Sequence, residues 1–207
     1  MHALITGGAG FIGSHTTRLL LAQGHQVTVL DNLSNGHREN LPEHPRLRLV
    51  VGDIADTEAV DNALVGADRV LHLAAQVSVT TSVEEPRRSC HDNLLGYVTV
   101  LDGARRAGIH RFVYASSAAV YGQPAELPLR ETSAPAPASP YGLEKLVNDR
   151  YATLYRELHG LSTLGMRYFN VYGPGQDPAS PYSGVISFFV DRMSKGEPLT
   201  VHGDGLQ

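Results

Sequence analysis

The chain has 207 residues, a net charge of −4, 42% apolar residues and 18% charged residues, the balance of a soluble globular protein rather than a disordered one. Basic residues such as Arg46, Arg48, Arg105 and Arg106 are scattered among acids, which excludes a nucleic-acid stripe or a polybasic membrane anchor. No apolar run approaches the roughly 18–20 residues that span a bilayer.

Residues 2–6, HALIT, read as a strand, and a helix is predicted over 11–23. Between them, Gly7, Gly10 and Gly13 stand three apart in ALITGGAGFIGSH. Early glycines allow a tight turn and a close backbone approach to a pyrophosphate. Gly13 allows the helix to pack on the strand, and the helix N-terminus offers free N–H groups to phosphate. A second strand, 26–30, ends at Asp31, about 20 residues on, where a carboxylate accepts both ribose hydroxyls of an adenosine. The same charge repels a 2′-phosphate, which favours NAD over NADP, although Arg38 stands nearby.

The third strand, 47–51, leads to Asp53, within reach of an adenine amino group. A helix follows at 56–64, then a strand at 69–73 that ends in the small residues of HLAAQ. Helix 91–107 and strand 111–115 come next, and the strand runs into YASSAAVYG. Residues 123–140 are proline-rich and read as a surface loop. Helix 140–159 and strand 163–168 close the repeating pattern. Strands alternating with helices predict an α/β fold, a doubly wound parallel sheet of Rossmann type with helices on both faces.

After 168 the rhythm stops. A turn-rich stretch precedes a predicted helix at 185–195, and PLTVHGDGLQ reads as a short strand and a turn. The reading divides the chain into a dinucleotide-binding domain, 1–170, and the start of a smaller substrate-binding region, 171–207, with the sequence expected to continue past Gln207. Cys90 is the sole cysteine, so no internal disulfide is available and a reducing cytoplasm is the expected setting. MHALITGG lacks a charged n-region and a cleavage site, so no signal peptide is predicted. The histidines are dispersed, with no HExxH, and no metal site is predicted.

SPYGLEK, at 139–145, opens the last long helix and puts Tyr141 and Lys145 one turn apart on one face. A phenol has a pKa near 10. An ammonium and a nicotinamide ring beside it lower that value by about three units, worth about 4 kcal/mol. Phenolate then serves as a general base. A serine at the preceding strand end is placed to orient the same substrate hydroxyl.

Together these motifs resemble an extended short-chain dehydrogenase/reductase of the NAD-dependent sugar-nucleotide epimerase/dehydratase family, over the whole chain. The resemblance implies that Gly7, Gly10, Phe11, Ile12 and Gly13 hold the pyrophosphate of NAD. It assigns Asp31, Asn32 and Asn35 to the ribose side, Asp53 and Ile54 to the adenine, and Leu73, Ala74, Ala75 and Gln76 to the cofactor wall. DNLLGY matches the family's Asn-x-x-Gly helix start and brings Asp92 or Asn93 to the cofactor region. Ser117 becomes the catalytic serine, with Ser116 behind it, beside Tyr141 and Lys145. RYFNVYGP matches a family loop in which Phe169 touches the nicotinamide side and Asn170 the substrate diphosphate. Val185, Thr200, Val201 and His202 fall where the family holds a nucleotide base.

The family's 4,6-dehydratases carry an Asp-Glu pair after the serine. Here Ala118 and Ala119 stand there, and neither transfers a proton. The resemblance therefore implies 4-epimerisation of a UDP-hexose through a transient 4-keto sugar. AAQVSV departs from a lysine-containing stretch of the family and leaves the sugar, plain or N-acetylated, open. A cofactor-releasing oxidoreductase or synthase, and a non-catalytic NAD-binding module, stay as alternatives. Helices 91–107, with Leu94, Leu95, Val98 and Leu101, and 140–159, with Leu146, Tyr151, Leu154 and Leu158, are the expected surface of a homodimer.

Overall fold

The computed structural model describes residues 1–124, 126–177, 184–201 and 203–205. The chain divides into two compact units, Met1–Tyr168 and Phe169–Gln207.

In the first unit, six strands form one parallel sheet in the order β3-β2-β1-β4-β5-β6. They are β1 (His2–Thr6), β2 (Gln26–Asp31), β3 (Leu47–Val51), β4 (Arg69–His72), β5 (Arg111–Ser117) and β6 (Thr163–Tyr168). The chain starts at the centre, works outward to β3, then returns to lay β4 against the free side of β1, with Thr6 opposite His72. Loops leaving the carboxyl ends of β1 and β4 therefore turn to opposite faces, which opens a crevice at that edge. The continuous apolar runs follow from burial on both faces: Leu4, Ile5, Val29 and Leu30 are fully buried.

Helix α1 (Phe11–Ala22) packs on one face, where Ile5, Leu21, Val27 and Val29 form a core. Its buried residues Gly13, Thr17 and Leu21 recur every four positions, one helical stripe. The larger core lies on the other face, against α2 (Thr57–Leu64), α5 (Gly96–Arg106) and α6 (Pro140–His159). His72, Tyr97, Phe112 and Tyr114 stack and edge against one another there, at centroid separations of 5.4–6.1 Å.

The termini of α6 follow from sequence. Ser139 accepts from the Gly142 N–H at 3.1 Å, Pro140 occupies the first turn, and Gly160 closes the helix at φ +69°. Its buried face is unusual, because it carries Glu144, Lys145 and Asn148 beside Ala152.

The structure differs from the sequence reading in several places. Two short helices, α3 (Val79–Glu84) and α4 (Pro86–Cys90), precede the helix expected at 91. A π-helical turn, His91–Leu95, joins α4 to α5. Ser78 caps α3 by accepting from the Thr81 N–H at 2.9 Å, and Pro86 opens α4. Leu101 is fully buried in the core beside Val60 and Phe112, so it cannot belong to a dimer surface.

The second unit contains α7 (Val185–Ser194), closed by Lys195, whose ammonium pairs with Asp191 at 2.7 Å. Arg192 lies over the Phe188 ring at 4.9 Å. Residues 198–201, where PLTVHGDGLQ was expected to begin with a short strand, are irregular. A strand needs a neighbour to receive its ladder bonds, and no other strand is found among the described residues of this unit.

Candidate active site

The carboxyl edge of the sheet gathers most of the motifs. After β1 the chain turns at Gly7, whose φ is +70° and whose N–H donates to the Leu30 carbonyl at 2.9 Å. Gly10 stands at the N-cap of α1 and offers no side chain to cap it. No acidic residue lies in the first turn, so the N–H groups of Phe11, Ile12 and Gly13 face outward from an uncapped positive end. Gly13 is required by contact: a Cβ there would stand 2.1 Å from the Gly7 carbonyl oxygen and 2.7 Å from Gly8 Cα.

Asp31 is buried at the end of β2 and ties this turn down. Its Oδ2 accepts from the Ala9 N–H and its Oδ1 from the Leu33 N–H, both at 2.9 Å. Each oxygen keeps a further lone pair, so the carboxylate can still accept from a ligand. The sequence did not show this structural use of Asp31. Asn32 Nδ2 donates to Asp53 Oδ2 at 3.0 Å, and Asp53 Oδ1 accepts from the Ala55 N–H at 2.8 Å. Ile54 is buried against Gly96, and Asn35 is exposed.

Leu73, Ala74 and Ala75 continue from β4, half-buried, with Ala74 against the Gly7 turn. Gln76 is also tied into the chain itself. Its backbone N–H and carbonyl both bond the Asn93 side chain at 2.9 Å, and its amide bonds the Ser78 backbone and Ser89. Asn93 is buried, while Asp92 pairs with His91 and Arg88 among exposed groups. Of the two alternatives, only Asn93 is turned toward the strand ends.

Ser116 and Ser117 are the last residues of β5, paired with Arg167 and Tyr168 of β6. Ser116 Oγ is buried with no hydrogen-bond partner among the described residues. Ser117 begins a tight turn, Ala118–Tyr121, and its Oγ accepts from the Ala119 N–H at 3.1 Å. That turn abuts the start of α6, where a Cβ on Gly142 would stand 2.6 Å from the Ala119 carbonyl oxygen. The close approach sets Ser117 beside the Tyr141 phenol, where its hydroxyl favours the ionised form. Lys145 lies beneath, 3% exposed, its Nζ donating to the Ala115 carbonyl at 3.3 Å and 5.7 Å from the Tyr141 ring centre.

The electrostatics differ from the sequence expectation. Burial pushes the Tyr141 phenol up, the Ser117 hydroxyl offsets part of this, and Glu144 adds to the rise. Lys145 itself is brought down to about 8, by burial, against the opposing pull of Glu144 and Asp149. The ammonium alone therefore does not make phenolate, because desolvation outweighs one neighbouring charge. Between pH 8 and 10.5 the unfolded chain, with its ordinary lysine, holds a proton that the folded chain has lost. Stability from this group is thus full above pH 10.5 and is lost as the pH falls to about 8. Urea unfolding of the protein, minus that of Lys145→Met, should rise by about 3 kcal/mol from pH 8 to 10.5.

In the second unit Phe169, Asn170, Val185, Thr200 and Val201 are all exposed, and His202 lies outside the described residues.

A family model described as the NAD dependent epimerase/dehydratase family matches residues 3–207. The chain is 42% identical to a putative UDP-glucose 4-epimerase of Methanocaldococcus jannaschii, over 99% of its own length and 67% of that protein. It is 39% identical to the UDP-glucose 4-epimerase of Mycolicibacterium smegmatis over the same shares. Among solved structures, the UDP-N-acetylglucosamine 4-epimerase from Methanobrevibacter ruminantium M1, in complex with UDP-N-acetylmuramic acid, superposes with a TM-score of 0.95 at 38% identity, over 100% of this chain and 66% of that one. The UDP-glucose 4-epimerase of Thermus thermophilus, in complex with NAD, superposes at 0.89 with 42% identity, over 97% and 65%. The chain thus spans about two thirds of the length of these relatives.

Proposed function

The chain belongs to the NAD dependent epimerase/dehydratase family, and from that premise we propose that it carries the catalytic half of an NAD-dependent UDP-hexose 4-epimerase. The observation that carries the reading is the close approach of the turn after Ser117 to the start of α6, where the Tyr141 ring stands over a buried Lys145, at the sheet edge that also bears the glycine turn.

The residues present fit a dinucleotide. The α1 N-terminus is uncapped, the turn before it is closed to any side chain at Gly13, and Asp31 retains acceptor capacity at the end of β2. Gly7, Gly10, Phe11, Ile12 and Gly13 would hold the pyrophosphate, and Asp31 with Asn32 and Asn35 the ribose. Asp53 and Ile54 would meet the adenine, and Leu73, Ala74 and Ala75 the wall behind it. Bound NAD supplies the hydride acceptor and donor for the sugar's C4, and a positive ring charge beside the phenol.

The chain's own residues handle the proton. Ser117 Oγ orients the C4 hydroxyl, and Tyr141 Oη takes its proton and, once the 4-keto sugar has presented its other face, returns one to the C4 oxygen. The ring charge supplements Lys145, and the two together offset the desolvation that holds the phenol protonated in the chain alone. Ala118 and Ala119 leave no group there to protonate a leaving C6 hydroxyl, which favours epimerisation over elimination. Residues 171–207 would belong to the substrate region, and Phe169, Asn170, Val185, Thr200, Val201 and His202 remain the nicotinamide-side and substrate residues that the family resemblance assigns.

Incubation with UDP-galactose and NAD should yield UDP-glucose with no net change in absorbance at 340 nm. Calorimetry should show NAD binding at least tenfold tighter than NADP, about 1.4 kcal/mol. Steady accumulation of reduced cofactor would favour the oxidoreductase alternative instead.

A homodimer and a cytoplasmic setting complete the reading. Leu95, Tyr151, Leu154 and Leu158 are exposed apolar groups on the helical stretch 91–106 and on α6. No helix among the described residues is long and apolar enough to cross a membrane. Light scattering at micromolar concentration should give twice the chain mass, and a monomer mass would count against the pairing.

A further inference from the structure

Lys145 has a charged neighbour in the chain that is almost equally buried. Glu144 is 5% exposed, and a buried carboxylate is costly unless its oxygens are bonded. Its Oε2 accepts from Ser89 Oγ at 2.8 Å and from Asn93 Nδ2 at 2.7 Å. Both donors are buried, in α4 and in the π-helical turn after it. Asn93 in turn brackets the Gln76 backbone beyond β4, and its own carbonyl accepts from Asn148 Nδ2 of α6 at 3.1 Å. One carboxylate oxygen thus joins the first turns of α6 to the carboxyl end of β4 through neutral donors.

Charged and titratable groups of four elements bear on Lys145, directly or through Asp149. From α6 come Tyr141, Glu144 and Asp149. From β4 comes His72, held neutral with a pKa of about 3 by burial and by Lys145 itself. From β6 comes Arg167, 3.1 Å from Asp149, which also accepts from the Tyr114 phenol of β5 at 3.0 Å. Asp149 is therefore already answered by Arg167. Glu144, bonded by neutral donors, is the carboxylate with the larger pull on Lys145, ahead of Asp149.

We propose that Glu144 is a positioning residue for the Tyr141–Lys145 pair: its carboxylate locks this turn of α6 against Ser89 and Asn93 and supplies the counter-charge that keeps the buried lysine an ammonium. Its importance for the reaction rests on the epimerase reading; the charge coupling itself does not. Glu144→Gln isolates the charge, because the amide oxygen can still accept from Ser89 and Asn93.

Lysine occurs at 145 and 195 and nowhere else. In protein carrying ¹³Cε-lysine, with Lys195→Arg for assignment, Lys145 can be titrated directly with no cofactor or substrate present. Its midpoint near 8 should fall by about one pH unit in Glu144→Gln, and Glu144→Asp should restore most of it. An unmoved Lys145 midpoint in folded Glu144→Gln, even with a lower melting temperature, overturns the proposal and leaves Glu144 a packing group. If Glu144→Gln does not fold, Glu144→Asp decides: a Lys145 midpoint that stays near the wild-type value supports the retained counter-charge, and a fall of a full unit overturns it. The titration does not depend on turnover, so a failure of the epimerase reading is seen separately in the UDP-galactose assay.

Discussion

Tyr141→Phe is expected to lower kcat for UDP-hexose epimerisation by about 10²–10⁴-fold, the usual contribution of a positioned acid–base group. The fold should be untouched. Phenylalanine fills the same volume, and the backbone N–H at 141 keeps its bond to Ser82 Oγ at 3.1 Å. What disappears is the hydroxyl beside Ser117. Because the phenol is pushed up by burial in the chain alone, it is a poor base until positive ring charge arrives beside it. The loss should therefore fall on kcat, with NAD affinity and KM within a few-fold of wild type. Stopped-flow turnover and calorimetry on the same preparation check both halves. A variant retaining a tenth of the wild-type rate would remove Tyr141 from the proton path.

The Gly7–Gly10–Gly13 turn, the strand-end Asp31 and the Tyr141–Lys145 pair were legible because each depends on spacing or on a residue type with one strong physical use. The ends of α6 were legible for the same reason, through Ser139, Pro140 and Gly160. Helices α3 and α4 were not: at 6 and 5 residues they are too short to show an apolar period, though Ser78 and Pro86 mark their starts. The buried face of α6 was hidden for a deeper reason. Glu144 and Asn148 are residue types that ordinarily face solvent, and only the tertiary partners Ser89 and Asn93 make their burial tolerable. Gln76 shows the converse limit. Its place at a strand end was legible, but the bonds of its polar groups to Asn93 and Ser89 were not, because they come from residues distant in sequence.

Gly13→Ala and Gly10→Ala should separate stability from dinucleotide binding at the same turn. Helix propensity alone makes alanine better than glycine inside α1 by about 1 kcal/mol. At Gly13 contact overrides propensity. A Cβ 2.1 Å from the Gly7 carbonyl oxygen and 2.7 Å from Gly8 Cα meets backbone on both counts, so no side chain can move aside. Relief requires α1 to shift away from the end of β1, at a cost of about 1–3 kcal/mol, which outweighs the propensity gain. The melting temperature should fall by several degrees, and NAD affinity with it, because the N–H groups of Phe11, Ile12 and Gly13 move with the helix. At Gly10 the nearest atom to a Cβ is the Gly7 oxygen at 3.3 Å, and the backbone, at φ −79°, suits any residue. Gly10→Ala should therefore melt within about a degree or two of wild type. It should still bind NAD at least tenfold more weakly, because its methyl occupies the space before the uncapped helix end where the pyrophosphate would rest. Calorimetric titration of both variants beside their melting curves makes the comparison. Wild-type NAD affinity in Gly10→Ala would place the pyrophosphate elsewhere, and a Gly13→Ala more stable than wild type would show that α1 does not pack as described.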